Sequence, residues 1–133
     1  MVASGFKTTI AAGLLNLVFR GTAFTTPTTP IKVELTTTTP SASANGTAVS
    51  GGSYADQTLT IASNTATNSI SNSSSVAFTG MPAATVVGAN VKDSAGSPVY
   101  LAFGNFASSI TTLAGDTISF AAGAIAASIT NAT

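Results

Sequence analysis

Short stretches in which apolar and polar residues alternate constrain the fold of this chain most strongly. Ile31-Lys32-Val33-Glu34-Leu35 alternates cleanly, placing Ile31, Val33 and Leu35 on the inward face of a strand and Lys32 and Glu34 outward. The same period returns in Tyr54 to Ala62, where Leu59 and Ile61 oppose Thr58 and Thr60. It recurs around Val76 and Phe78, in the Val-rich Thr85 to Lys92, in Val99 to Phe103, around Ile118 and Phe120, and in Ala124 to Thr130. Turn chemistry separates these runs. Ser41 to Ser53 reads as a long loop, Asn64 to Ser71 as a turn region, and Gly80-Met81-Pro82 as the end of a strand. Asp93-Ser94-Ala95-Gly96 carries Asp first and Gly fourth, the pattern of a type I turn, and predicts a hairpin. About seven or eight short strands of this kind predict an all-β fold, an antiparallel β-sandwich or jelly roll.

One segment keeps a different period. Phe6, Ile10, Leu14, Leu17 and Val18 recur at helical spacing with Leu15 beside them, which predicts one amphipathic helix from Ser4 to Arg20. Ser4 is its expected N-cap and Gly21 its stop. Its apolar stripe has two readings: it packs on the domain's own sheet, or it docks into a neighbouring subunit. Asn16 and Arg20 interrupt a signal-peptide reading and the apolar run is too short to span a bilayer, so the segment is expected to stay in the mature protein. Thr25-Thr26-Pro27-Thr28-Thr29-Pro30 follows as an extended connector, because each proline pushes its predecessor out of the helical region. The expected organisation is a helix over 1–21, an extended Thr/Pro arm and first strand over 22–40, and the rest of the β domain over 41–133.

The polar face of these strands is made of Ser, Thr and Asn. Only four Lys/Arg and four Asp/Glu occur in 133 residues, 6% charged with no net charge, against about 25% in ordinary soluble domains. Such a surface gives little charge repulsion, and proteins near neutrality associate. Disorder is excluded by the 44% hydrophobic content. Lys7, Arg20, Lys32 and Lys92 are scattered, so no phosphate-neutralising footprint exists and no nucleic-acid partner is expected.

The same sparseness limits chemistry. No His and no Cys means no Ser–His or Cys–His nucleophile and no His/Cys zinc site. Glu34, Asp56, Asp93 and Asp116 are the carboxylates. Asp93 and Asp116 are explained as turn residues, and Glu34 as an exposed strand residue paired with Lys32. Asp56 alone makes no site. Gly51-Gly52 lacks the Lys-Ser/Thr of a phosphate loop and is expected to allow positive φ at a bend. The chain is expected to be no enzyme and to carry no cofactor or metal. Tyr54 and Tyr100 offer the amphipathic rings a glycan would need, and both are expected at the edge of the core.

Several runs in order along the chain resemble a known family. They include Phe19-Arg20-Gly21, Ser50-Gly51-Gly52-Ser53-Tyr54-Ala55, Ile70-Ser71-Asn72, Val76-Ala77-Phe78, the Asp93 to Gly96 hairpin, and Gly115-Asp116 through Gly123. They are similar to small proteins encoded in the structural modules of tailed phages, labelled tail-fibre-like and related to β proteins that decorate or cement capsids. The chain departs from that pattern at Ala84-Thr85-Val86-Val87, where Trp-Gly is common, and at Ala121-Ala122-Gly123, where Pro-Ala-Gly is. The resemblance implies a virion structural protein. The expected role is capsid cement, with the major capsid protein and further copies of the chain (dimer or trimer) as partners and no membrane. The alternative is a tail-fibre or baseplate module that binds host glycan. The expected partner interface is Phe6, Ile10, Leu14, Leu17, Val18, Ile31, Val33 and Leu35, and in the cement role the Thr22 to Thr39 segment is expected to add a strand to a neighbour.

Overall fold

The alternating run at 31–35 becomes strand β2 (Lys32–Thr36), and it lies in the interior of a sheet. The computed structural model describes residues 4–62 and 68–129. In chain order the elements are β1 (Ser4–Phe6), α1 (Thr8–Arg20), β2, β3 (Gln57–Thr58), β4 (Ser69–Ser71) and β5 (Val76–Phe78). They continue with β6 (Ala84–Lys92), β7 (Tyr100–Thr112), β8 (Ile118–Phe120) and β9 (Ala126–Ser128). Five strands form one antiparallel sheet in the order β1-β7-β6-β2-β3, and β4-β9 and β5-β8 form two antiparallel ribbons. The fold is all-β with one helix.

The core lies where the β5-β8 ribbon meets the sheet. Phe78 and Val76 from β5 and Ile118 from β8 join Val33 and Leu35 from β2 and Val86 from β6 in one buried cluster. Phe78 is fully buried, stacked on Tyr54 at 5.8 Å and meeting Phe120 edge-on at 6.2 Å. Each such side chain contributes about 1.5–3 kcal/mol by leaving water. Gly52 has φ +60 and approaches the Gly80 carbonyl so closely that a Cβ would stand 2.5 Å from its oxygen. The Gly51-Gly52 bend is therefore the device that sets Ser53 N–H on Gly80 O, 2.9 Å away.

Several expectations change in three dimensions. Ser4 does not cap the helix: it begins β1, which pairs with Gly104 to Ala102 of β7. Lys7 takes the cap position in extended conformation, because its N–H continues the sheet to Leu101 O at 2.9 Å. The helix does end at Gly21, with Thr22 N–H returning to Asn16 O. Only Gln57 and Thr58 of the strand expected over Tyr54 to Ala62 pair with β2, and Ile61 makes a single bridge to Asn72. The Asp93 turn is wider than four residues. Asp93 N–H reaches Val99 O, and the Asp93 carboxylate accepts the N–H groups of Ala95 and Val99. Part of the turn region expected over Asn64 to Ser71, and Thr130 of the last strand, lie outside the described residues.

Candidate functional site

The helix is the most exposed apolar element. Ile10 is its one buried residue and Leu14 is half-buried. The Phe24 ring of the connector lies against Gly13. Leu15, Leu17, Val18 and Phe19 leave 59%, 43%, 71% and 79% of their surface open. Leu15, Val18 and Phe19 lie on one side of the helix and Leu17 on another, with Arg20 the only charge near them.

The residues expected at an interface divide sharply. Leu17 and Val18 are exposed on α1, Phe6 is 37% exposed on the edge strand β1, and Ile31 is half-buried against the core. Val33 and Leu35 are 1% and 0% exposed and Ile10 is buried, so these three serve the chain's own interior. Of the expected strand-adding arm, the part that forms β2 already has partners within the chain. Residues 32–36 pair with β6 throughout, their other edge is met by β3 at Lys32 and Val33 and by Val49 and Tyr54 at Leu35, and Thr28 N–H is held by the Asp93 carboxylate at 3.0 Å. Helical spacing pointed to the α1 stripe but not to Phe19, which falls outside it.

A second cluster lies on the other face of the sheet from the apolar core. Glu34 is 4% exposed, not outward-facing, because β2 is covered on both sides. Its partner is Lys92 of β6, not Lys32. Lys92 Nζ donates to Glu34 and also lies 2.8 Å from Asp56 Oδ2. Asn90 Nδ2 and the Tyr100 hydroxyl donate to Glu34 at 3.3 and 3.4 Å, and the Tyr54 hydroxyl donates to Asp56 at 3.2 Å. The Tyr100 ring lies 5.6 Å from Lys92 Nζ. Burial alone lowers the proton affinity of Lys92, but the hydrogen bonds and charges of Asp56 and Glu34 outweigh it and hold the ammonium well above the usual lysine range. Lys7 is tucked in beside this cluster, donating to Ser41 O at 2.7 Å and Ala44 O at 2.8 Å. Burial lowers its pKa, opposed by Glu34. Sequence spacing gave no sign of this meeting, since residues 34, 56 and 92 come from three separate elements.

Both tyrosines are half-buried with their hydroxyls engaged, so neither ring forms an open sugar platform. Asp116 accepts Leu113 N–H at 2.8 Å, as a turn residue does. A shallow groove of about 120 Å³ lies among Phe6, Ile70, Ala127 and Ile129, smaller than the roughly 300 Å³ of ordinary small-molecule sites. Among the described residues no group of three metal-ligand side chains occurs, and no helix is long and apolar enough to cross a membrane.

Sheet, ribbons and one helix with exposed apolar residues make up a small β-rich protein. Residues 5–128 match a family model described as podophage GP4 fiber I protein gp80, and the chain belongs to that family. It is a phage structural protein and a virion component. The family is one of fibre proteins, which fits the tail-fibre alternative better than the capsid-cement expectation. No match was found among curated proteins.

Proposed function

We propose that this chain is a tail-fibre component of a tailed phage, held in the particle by packing of the exposed apolar face of α1 against a neighbouring tail protein or another copy of itself. The carrying observation is the run Leu15, Leu17, Val18 and Phe19, open to solvent on a domain whose own core is already filled by other residues. The fibre family supports the tail over the shell. Nothing in the fold singles out the capsid protein as the neighbour. A role without enzymatic turnover fits the same facts: the sequence has no His or Cys, Glu34 and Asp56 engage Lys92, and Asp93 and Asp116 close turns. Host-glycan binding draws no support from the two tyrosines, whose hydroxyls are spent inside the fold.

The test is a chain with Leu15, Val18 and Phe19 replaced by Gln, added to particles that lack the protein. Its circular dichroism and thermal midpoint stay as in the parent, and its incorporation is lost. Undiminished incorporation of the folded variant overturns the reading. Copy number gives a second check: a handful per particle fits the tail, whereas hundreds place the protein on the shell.

A further inference from the structure

In a chain with four basic and four acidic residues, one lysine and two carboxylates meet inside the fold. A buried ion cluster is weak as a stabilising device, because desolvation offsets most of its attraction. The same three groups are, however, what side-chain amide formation needs: an amine, a carboxyl carbon within its reach, and a second carboxylate to carry a proton. We propose that Lys92 and Asp56 become joined by a self-catalysed isopeptide bond, with Glu34 as the proton carrier.

The geometry assigns the roles. Lys92 Nζ is already 2.8 Å from Asp56 Oδ2, and its side chain is 12% exposed. Glu34 receives donors from Lys92, Asn90 and Tyr100, which fix its carboxylate beside the Lys92 nitrogen, where it can accept and return a proton. Asp56 meets Lys92 and the Tyr54 hydroxyl. Its side chain is also 25% exposed, so released water has an exit.

The reaction is balanced without any added reagent. One proton passes from the Lys92 ammonium to the Asp56 carboxylate across their 2.8 Å contact, against the hold of the two carboxylates on the ammonium, giving a neutral amine and a carboxylic acid. The Nζ lone pair then attacks Asp56 Cγ and the C–N bond forms. Glu34 takes a proton from the nitrogen and delivers it to the departing hydroxyl, the Cγ–O bond breaks, and one water leaves. Nothing is oxidised or reduced. The product ties β6 to the segment entering β3 across the intervening β2, a covalent staple in a chain with no cysteine.

Intact-mass measurement of the purified full chain decides the matter, independently of where the protein sits in the virion. The expected mass is about 18 Da below that of the sequence, one water lost. Peptide mapping then finds the Lys92 and Asp56 peptides linked. Lys92→Arg and Asp56→Ala have their full sequence masses, and Asp56→Asn loses about 17 Da as ammonia. Glu34→Gln keeps its full mass. Wild-type protein at its full sequence mass overturns the proposal, and this result does not depend on any variant folding. A link mapped to Glu34, or an undiminished deficit in Glu34→Gln, overturns the assigned roles.

Discussion

The hydroxyl of Tyr54 accepts the backbone N–H of Leu35 at 2.7 Å, at a point where β3 is too short to supply a strand partner. The same ring stacks on Phe78, so one residue closes the sheet edge and covers the core. Tyr54→Phe keeps the stacking and leaves the fully buried Leu35 without a partner for its N–H. Urea unfolding should show a loss of about 1–3 kcal/mol, the cost of an unsatisfied buried donor. An unchanged midpoint would show that water replaces the hydroxyl.

Both tyrosines hold their protons more tightly than a free phenol. Burial is the main cause in each, with the nearby carboxylates adding to it. An acid whose folded pKa is raised contributes stability below its unfolded value, about 10 for tyrosine, and that contribution is lost as pH rises further. Absorbance at alkaline pH should therefore show Tyr54 and Tyr100 ionising together with loss of the near-ultraviolet dichroism. Independent ionisation in the intact fold would contradict the burial.

Asp93 has the opposite sign. Backbone N–H groups of Val99, Thr28 and Ala95 hold its carboxyl below the usual carboxylate range, against some opposing desolvation. Its contribution is present above the unfolded value of about 3.9 and disappears as pH falls through the lower folded value. Asp93→Asn should lower stability at neutral pH and flatten the acid limb of a stability-versus-pH curve. An acid limb identical to that of the parent would assign the sensitivity to other groups.

Gly88 lies close against its neighbours in the central sheet. A Cβ there would lie 2.8 Å from Gly104 O, 2.9 Å from Pro40 Cδ and 3.1 Å from Asn105 Oδ1. Gly88→Ala forces β6, β7 or the Pro40 segment to move, at a cost of about 1–3 kcal/mol. Thermal denaturation reads this directly, and a stabilised variant would mean the three neighbours yield freely.

Alternation and turn residues made β2, β5, β6 and β8 legible, along with the hairpin at Asp93 and the helix ending at Gly21, because each depends on contacts within a few residues of sequence. Helical periodicity also marked α1, while its freedom from the sheet was not readable: a stripe of leucines looks the same whether it faces its own core or another protein. The pairing of Glu34 with Lys92 and Asp56 belongs to the same category. Local spacing offered Lys32 as partner, and only the antiparallel register of β2 with β6 brings residues 34, 90 and 92 onto one covered face. Sequence by itself thus determined the β class and the scarcity of reactive groups, since both follow from residue type and short-range order. Tertiary structure decided which apolar surface stays open and which charges meet, because both are set by how distant strands align.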